Sequence, residues 1–376
     1  MTDRKTIDSA VEHFRELLMS QIARAEGMKD AAKPVKKDAV VIGLAGGDGI
    51  GPIITFEARR ALDCLLREEI AAGRVILKDI PGLTIENRLM KGQPVPDEAM
   101  AVIRECDVLL KGPTTTPSGG TMESANVALR RELDLYANVR PVAVPEEGID
   151  WTFFRENTEG EYTLGSKGVQ IDDLLAMDFK VTTVEGTRRI ARAAYEFARK
   201  NGKKNVAIVT KSNIMKKTDG LFSKVSHEIA AEYPDITTDE YYIDIMTANL
   251  VNPAIRSTFQ VFLLPNLYGD IITDEAAQIQ GGVGTAGSAN VGDRYAMFEA
   301  IHGSAPRLIA EGLGDYANPE SILRAAVMLL RHIGMPGKAD TLNAAVDAAA
   351  ESCPVTGTRE GNTCAAFGDA VIKALG

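Results

Sequence analysis

The sequence predicts an α/β protein built on a largely parallel sheet, organised as two domains or one large α/β unit. Short apolar stretches alternate with stretches of helical periodicity, the pattern of strand–helix–strand units. Loops rich in glycine or hydroxyl residues directly follow several of the apolar stretches, where the carboxyl ends of parallel strands place ligand-binding groups. At 376 residues the chain also exceeds what one simple core organises.

Residues 1–38 differ from the rest. Val11, Phe14, Leu17, Leu18 and Ile22 recur at helical spacing, and Lys33-Pro34 ends the pattern. Asp3, Asp8, Glu12, Glu16 and Glu26 are too many acids for a transit peptide. The expectation is a helical arm packed on its own subunit or on a neighbour, with no legible chemistry of its own. Next, Ala39–Leu44 reads as a short buried strand. It runs into Gly46-Gly47-Asp48-Gly49-Ile50-Gly51-Pro52 and a helix through Phe56, Ala58, Ala61 and Leu65. Further strands are expected at Arg74–Ile80, Cys106–Leu110, Asn205–Val209, Tyr241–Ile245 and Phe259–Leu264. Thr182-Thr183-Val184-Glu185 is a capping box, followed by Ile190, Ala194 and Phe197 on one face and by Gly202 as terminator. Asn318-Pro319 supplies a cap and a first-turn proline before Ile322, Ala326, Leu330 and Ile333, with Gly334 at the end. These two helices read as structural.

The composition excludes several function classes. An apolar fraction of 45% and a charged fraction of 25% are those of a soluble globular chain. The formal charge of −10 argues against general nucleic-acid or anionic-membrane binding. No apolar run reaches membrane-spanning length. Cys64, Cys106, Cys353 and Cys364 show no paired spacing, which disfavours a disulfide framework or zinc site and fits a reducing, cytoplasmic setting. An anionic substrate then needs a local basic pocket or a metal.

Candidate chemistry is spread along the chain. Arg130, Arg140 and Arg155 offer fork-shaped donors for a ligand with several carboxylates; the same charges also suit a solvated helix face. Gly47-Asp48-Gly49-Ile50-Gly51 lacks the dinucleotide fingerprint spacing, so it is either a tight turn or a ligand loop. Lys111-Gly112-Pro113-Thr114-Thr115-Thr116-Pro117 offers hydroxyls and amides at a strand end, suited to a cofactor or substrate edge. In a helix beginning near Asp270, Asp270 and Asp274 share a face about 5–6 Å apart. They then either hold a hard cation such as Mg²⁺ or Mn²⁺ or serve as acids at a helix N-terminus. Asp244, expected at a strand end, is a third possible ligand that nothing local requires. Tyr162 and Lys211 are the candidate proton carriers. Lysine works as a base near neutral pH only when burial or a neighbouring cation lowers its pKa. His302 begins a loop in which its ring either stacks on an adenine or is an ordinary loop histidine.

From about residue 40 onward the chain resembles the metal-dependent decarboxylating β-hydroxyacid dehydrogenases, which include isocitrate and isopropylmalate dehydrogenases. The resemblance lies in Gly47–Pro52, in Arg155-Glu156-Asn157-Thr158-Glu159-Gly160-Glu161-Tyr162, in Lys211-Ser212-Asn213-Ile214-Met215 and in Asn266-Leu267-Tyr268-Gly269-Asp270. It continues through His302-Gly303-Ser304-Ala305-Pro306 and Asn318-Pro319. It implies a non-Rossmann α/β fold: a large cofactor-binding domain over 39–135 and 281–376, and a smaller domain over 136–280 with a dimer clasp at about 159–182. It also implies that Arg130, Arg140 and Arg155 hold substrate carboxylates, and that Asp270 and Asp274 bind Mg²⁺ or Mn²⁺ with Asp244 of a second copy. Tyr162 of one copy and Lys211 of the other would be catalytic, in a homodimer or higher homo-oligomer. Thr115, Asn213, His302, Gly303, Ala305, Arg307 and Asn318 would line the NAD or NADP site.

By the same resemblance, Ser124 and Asn126 match the positions with which isocitrate enzymes hold the third carboxylate. Unpaired donors would reject an isopropyl group there. Isocitrate is therefore favoured in this step of the tricarboxylic acid cycle, with isopropylmalate, homoisocitrate or tartrate as alternatives. The cofactor stays open between NAD and NADP. Arg307 stands where NAD enzymes carry aspartate, which suits a 2′-phosphate. The tail Thr356-Gly357-Thr358-Arg359-Glu360-Gly361-Asn362 instead resembles the NAD enzymes. A non-catalytic regulatory subunit is the reading of another class. The presence of Tyr162, Lys211, Asp270 and Asp274 weighs against it.

Overall fold

The computed structural model describes residues 4–28, 39–117, 122–165, 167–282 and 286–376. Two compact units emerge, Met1–Lys33 with Pro145–Ile272, and Pro34–Val144 with Thr273–Gly376. Twelve strands lie among the described residues: β1 (Val40–Ala45), β2 (Val75–Asp79), β3 (Val108–Lys111), β4 (Ala137–Val144), β5 (Ile149–Glu156), β6 (Val169–Ile171), β7 (Leu175–Met177), β8 (Asn205–Thr210), β9 (Thr237–Tyr242), β10 (Val261–Leu264), β11 (Gly287–Val291) and β12 (Ala296–Ala300). The fold is α/β with a mostly parallel sheet, as expected.

In the unit containing the glycine-rich loop the strand order is β2-β1-β3-β12-β11-β4. β1 pairs parallel with β2 and β3, in register Ile42↔Leu77 and Ile42↔Val108, and β3 pairs parallel with β12. β11 runs antiparallel to both β12 and β4. Helices cover both faces, which is why β1 and β3 are continuous apolar runs rather than alternating ones. One face is packed by Gly51–Leu65, Glu320–His332, Pro336–Ser352 and Cys364–Leu375, whose Ile54, Leu62, Leu330, Leu342 and Phe367 are buried. Each such aliphatic side chain contributes about 1.5–3 kcal/mol by burial. Asp97–Glu105 and Ala125–Glu132 cover the opposite face through Ile103 and Leu129.

The other unit orders its strands β5-β10-β8-β9, all parallel. Its core includes Trp151, Phe153 and Phe262, the last two stacked with ring centroids 4.3 Å apart. β6 and β7 form a separate antiparallel hairpin. The helix Arg4–Gly27 packs on this same unit. His13 Nε2 lies 3.0 Å from the Lys167 carbonyl oxygen, and the Phe14 and Phe179 rings are 5.2 Å apart. The expected end of the arm at Lys33-Pro34 lies outside the described residues.

Four local expectations need correction. The strand expected at Tyr241–Ile245 is β9, Thr237–Tyr242, and Asp244 falls instead in the first turn of the helix Ile243–Leu250. β9 is an outer strand with Thr237, Asp239, Glu240 and Tyr242 exposed, so it has little of the apolar signal that marks the inner strands. The helix carrying Asp270 begins earlier, at Asn266, directly after β10 and Pro265. Thr183, not Thr182, caps Val184–Lys200, its hydroxyl accepting from the Gly186 N–H at 3.0 Å. Pro319 occupies the cap position of Glu320–His332, and Asn318 Oδ1 takes the Glu320 N–H from one residue earlier.

The glycine-rich loop is built around close approach. Gly47 and Gly49 have φ of 74° and 58°, and a Cβ on Gly49 would overlap the Ser304 carbonyl oxygen. Gly49→Ala is expected to destabilise the protein by about 1–3 kcal/mol through strain at that position. A lowered urea midpoint would register this, and an unchanged midpoint would mean that the Ser304 loop simply gives way.

Candidate active site

In the unit containing β5 and β10, Arg155 and Glu156 end β5 at its carboxyl edge, beside the start of the helix Asn266–Gln280 that follows β10. Arg155 is 1% exposed. Its Nε and Nη2 donate to Asn266 Oδ1 at 2.9 and 2.6 Å, and its Nη1 donates to Asp270. Tyr162 Oη donates to the other Asp270 oxygen at 2.7 Å, and its ring lies 5.3 Å from the Arg155 guanidinium carbon. Gly269 is required here, because a Cβ would overlap the Arg155 side chain. Asp270, more than a hundred residues from either in sequence, therefore joins Arg155 and Tyr162 in one hydrogen-bonded group.

Lys211 directly follows β8. Its backbone N–H is held by Asp219 Oδ2 at 2.8 Å, and its Nζ donates to Asp244 Oδ1 at 2.6 Å. That hydrogen bond keeps the exposed Asp244 carboxyl below its ordinary range. Asp219 is itself buried and takes Lys180 Nζ at 2.6 Å. Asn213 is exposed in the turn beyond Lys211. Among the described residues no three His, Cys, Asp or Glu side chains converge to hold a metal. Asp270 and Asp274 stand one turn apart on a single helix with side chains 41% and 64% exposed. They supply accessible hard oxygens and so fit Mg²⁺ or Mn²⁺.

In the unit containing β1, Arg140 on β4 donates through Nη1 to Thr273 Oγ1 at 2.7 Å and to Asp274 Oδ1 at 2.8 Å. Arg130, in the last turn of Ala125–Glu132, donates to Glu299 Oε1 at 3.2 Å. Glu299 also meets the fully buried Lys111 at 3.2 Å and accepts from Asn290 Nδ2 at 2.8 Å. Burial opposes the charge on Glu299, but Lys111 and Arg130 outweigh it and hold the carboxyl down at about 2. Burial also pulls the Lys111 ammonium below its usual range, against the opposing pull of Glu299.

Ser124 caps the Ala125–Glu132 helix by position, yet its hydroxyl makes no cap hydrogen bond. Asn126 Oδ1 accepts from Thr114 Oγ1 at 3.1 Å. Thr115 is fixed at both ends. Its N–H donates to Asp48 Oδ2 at 2.7 Å, and its hydroxyl lies 2.7 Å from Ser304 Oγ. Asp48 in turn is paired with buried Arg88 at 2.8 Å. His302 turns Nδ1 toward the Gly303 carbonyl, while its Nε2 is buried without a protein partner among the described residues. Burial lowers the imidazole pKa and so favours the neutral ring. A neutral ring with one buried, unsatisfied nitrogen beside an exposed Gly303 fits a cofactor edge. Ala305 adopts φ 45° at the head of the short helix Pro306–Ala310. Arg307 is 87% exposed and pairs with Glu311 one turn on.

The sequence reading missed Asp48, Arg88, Lys111, Glu299 and Asn266 as the groups that hold these side chains in place. The one available signal was indirect: Asp48 and Asn266 lie inside segments already singled out. Glu299→Ala is expected to destabilise the protein by about 3–5 kcal/mol, because Lys111 is left buried and uncompensated. A urea-measured loss below about 1 kcal/mol would mean that water reaches Lys111.

The chain has clear relatives among known proteins. Residues 41–371 match the family model described as isocitrate/isopropylmalate dehydrogenase. The NADP isocitrate dehydrogenase of Rickettsia prowazekii (strain Madrid E) is 42% identical over 306 residues, covering 78% of this chain and 59% of that protein. The chain thus spans about three-fifths of the length of that relative and of its Rickettsia counterparts, at 59%. The probable mitochondrial NAD isocitrate dehydrogenase subunit alpha of Caenorhabditis elegans is 38% identical over 338 residues, covering 86% of this chain and 89% of its own. The crystal structure of isocitrate dehydrogenase from Methylococcus capsulatus superposes with a TM-score of 0.78 at 34% identity, covering 89% of this chain and 99% of its own. With the matched family model extending over most of the chain, this protein belongs to the isocitrate/isopropylmalate dehydrogenase family.

Proposed function

We propose that the protein catalyses the oxidative decarboxylation of isocitrate to 2-oxoglutarate and CO₂, with NAD or NADP and with Mg²⁺ or Mn²⁺. The convergence of Arg155 and Tyr162 on Asp270 carries this reading. It joins a carboxylate-binding cation, a proton donor and a hard metal ligand in one group. Arg130, Arg140 and Arg155 would bind the substrate carboxylates, and Ser124 and Asn126 the third of them. The Ser124 hydroxyl is not used in capping, which supports that role. Asp270 and Asp274 would hold the cation, joined by Asp244 of a second copy in a homodimer or higher homo-oligomer. Thr115, Asn213, His302, Gly303, Ala305, Arg307 and Asn318 would line the nicotinamide cofactor's site. The protein is proposed to work in the cytoplasm; no helix among the described residues is long and apolar enough to cross a membrane.

The chain's own residues account for the proton movements. When bound, the cation, held by Asp270 and Asp274, would supply Lewis-acid polarisation of the substrate oxygens, and the nicotinamide would supply a hydride acceptor. Lys211 Nζ of the second copy, which also supplies Asp244, takes the hydroxyl proton. Its hydrogen bond to Asp244 aims the amine. Loss of CO₂ breaks the bond to the β-carboxylate, and the carbon left behind takes a proton from Tyr162. The Tyr162 hydroxyl already donates, to Asp270 Oδ2, so its proton is directed. Arg155 beside it holds negative charge near the reacting carbons.

Both NAD- and NADP-named relatives match this chain. Arg307 is exposed, and its pairing with Glu311 one turn on leaves it within reach of a 2′-phosphate.

Purified protein with Mg²⁺, assayed against isocitrate, isopropylmalate, homoisocitrate and tartrate with each nicotinamide, is expected to turn over isocitrate most efficiently by kcat/KM. The same assay ranks NAD against NADP. No isocitrate turnover with either cofactor would overturn the proposal. Ser124→Leu is expected to lower kcat/KM for isocitrate by about a hundredfold, because a donor to the third carboxylate is replaced by an apolar branch. A thermal melt checks that folding is kept, and an unchanged kcat/KM would remove Ser124 from the pocket.

A further inference from the structure

We propose that Arg24, in the N-terminal helix, is a positioning residue for the segment Arg155–Tyr162 and acts through Glu159. All the residues concerned belong to the unit that contains β5 and the helix Arg4–Gly27. That helix lies along the excursion between Gly160 and Val181, two residues bridged by reciprocal backbone hydrogen bonds of 2.8 and 3.1 Å. The Lys167 and Phe179 contacts fix its first half. Near its end, Arg24 Nη2 donates to Glu159 Oε1 at 3.0 Å.

Glu159 is a junction. Its side chain is 4% exposed and takes the Thr183 N–H at 2.8 Å together with the Thr183 hydroxyl, while its backbone carbonyl accepts from Asn266 Nδ2 at 2.9 Å. Asn266 is the residue that receives Arg155, and Arg155 and Tyr162 share Asp270. A continuous series of hydrogen bonds therefore runs from the arm to the candidate proton donor. Gly186 lacks the Cβ that would collide with the Glu159 carboxylate, so the group is tightly enclosed.

Charge explains why an arginine is needed. Glu156 is buried three residues upstream, held by the N–H groups of Thr158 and Glu159, and burial together with the Glu159 charge pushes its pKa up to about 7. Two enclosed carboxylates on one short segment repel each other. Arg189 reaches this segment at Thr158 and offsets the Glu156 charge, and Arg24 supplies the cation at Glu159. Without Arg24, the Glu159 carboxylate is left with the neutral Thr183 donors among its described partners, beside a second carboxylate, and the shortest way to relieve the repulsion is to loosen the backbone from Thr158 to Tyr162. The kinetic consequence rests on the proposed function; the structural one does not.

The test uses the full chain with Arg24→Ala, Arg24→Lys and Arg24→Gln. Hydrogen exchange followed by mass spectrometry is expected to speed up by about tenfold in peptides covering 156–165 of Arg24→Ala, while β8 and β10 keep their protection. In the isocitrate assay kcat is expected to fall by roughly ten- to a hundredfold with a smaller change in KM, since Tyr162 is displaced more than the substrate arginines. Arg24→Lys restores most of both. Should Arg24→Ala fail to fold, Arg24→Gln, which keeps a donor without charge, carries the same comparison. Unchanged exchange at 156–165 overturns the proposal, and so does faster exchange confined to the arm. If the wild-type protein turns over none of the four substrates, the functional reading falls and the exchange result alone decides the role of Arg24.

Discussion

A guanidinium or ammonium enclosed by protein has to face a carboxylate, because an unpaired charge in low dielectric costs several kilocalories per mole. Much of the structure around the candidate site answers that constraint. Arg88 faces Asp48, Arg155 faces Asp270, Lys111 and Arg130 share Glu299, and Lys180 faces Asp219. Each pair joins elements distant in sequence. The pairs therefore act as registration points, fixing which loop lies beside which strand end. Once Asp48 takes Arg88 and the Thr115 N–H, the glycine-rich loop and the threonine loop have one arrangement, and the Ser304 loop closes on both through Thr115 Oγ1 and the Ile50 N–H.

The same constraint gives the candidate catalytic groups two duties. Asp270 neutralises Arg155 and orients Tyr162. Asp274 neutralises Arg140. Asp244 holds the Lys211 amine. A carboxylate that turns toward a metal gives up part of its hold on its arginine or lysine, and that group becomes more available to an anionic ligand. Metal and substrate affinity are then expected to be coupled through these three aspartates. On the proposed function, the balance of charge around the ligand would be held inside the protein and rearranged at binding.

Much of the architecture was legible from the sequence because inner strands and amphipathic helices leave periodic apolar signals. β1, β3, β8 and β10 lie within a residue or two of their expected spans. Arg155, Tyr162, Lys211 and Asp270 could be singled out as candidates because each sits in an ordered run of unusual residues. Their partners were not. Arg24 meets Glu159 across 135 positions, Arg130 meets Glu299 across 169, and Asp48 meets Arg88 across 40. No local spacing records such pairings, and a lone Glu or Arg carries no mark of the charge it will face. The misplaced Tyr241–Ile245 strand has the opposite cause: a cluster of apolar residues at a strand–helix junction was louder than the polar strand itself.

That polar strand has a consequence for solubility. β9 pairs with β8 on one side, and its sequence Thr-Thr-Asp-Glu-Tyr-Tyr offers the outer margin of this sheet two acidic groups and hydroxyls instead of a greasy ribbon. Glu240 is occupied by Thr210, Ser212, Ser223 and His227 and stays ionised, while Asp239 is exposed on the opposite face of the strand. An incoming strand from another molecule would have to strip water from that charge to add itself to the row. The sheet can thus end in solvent without inviting edge-to-edge aggregation.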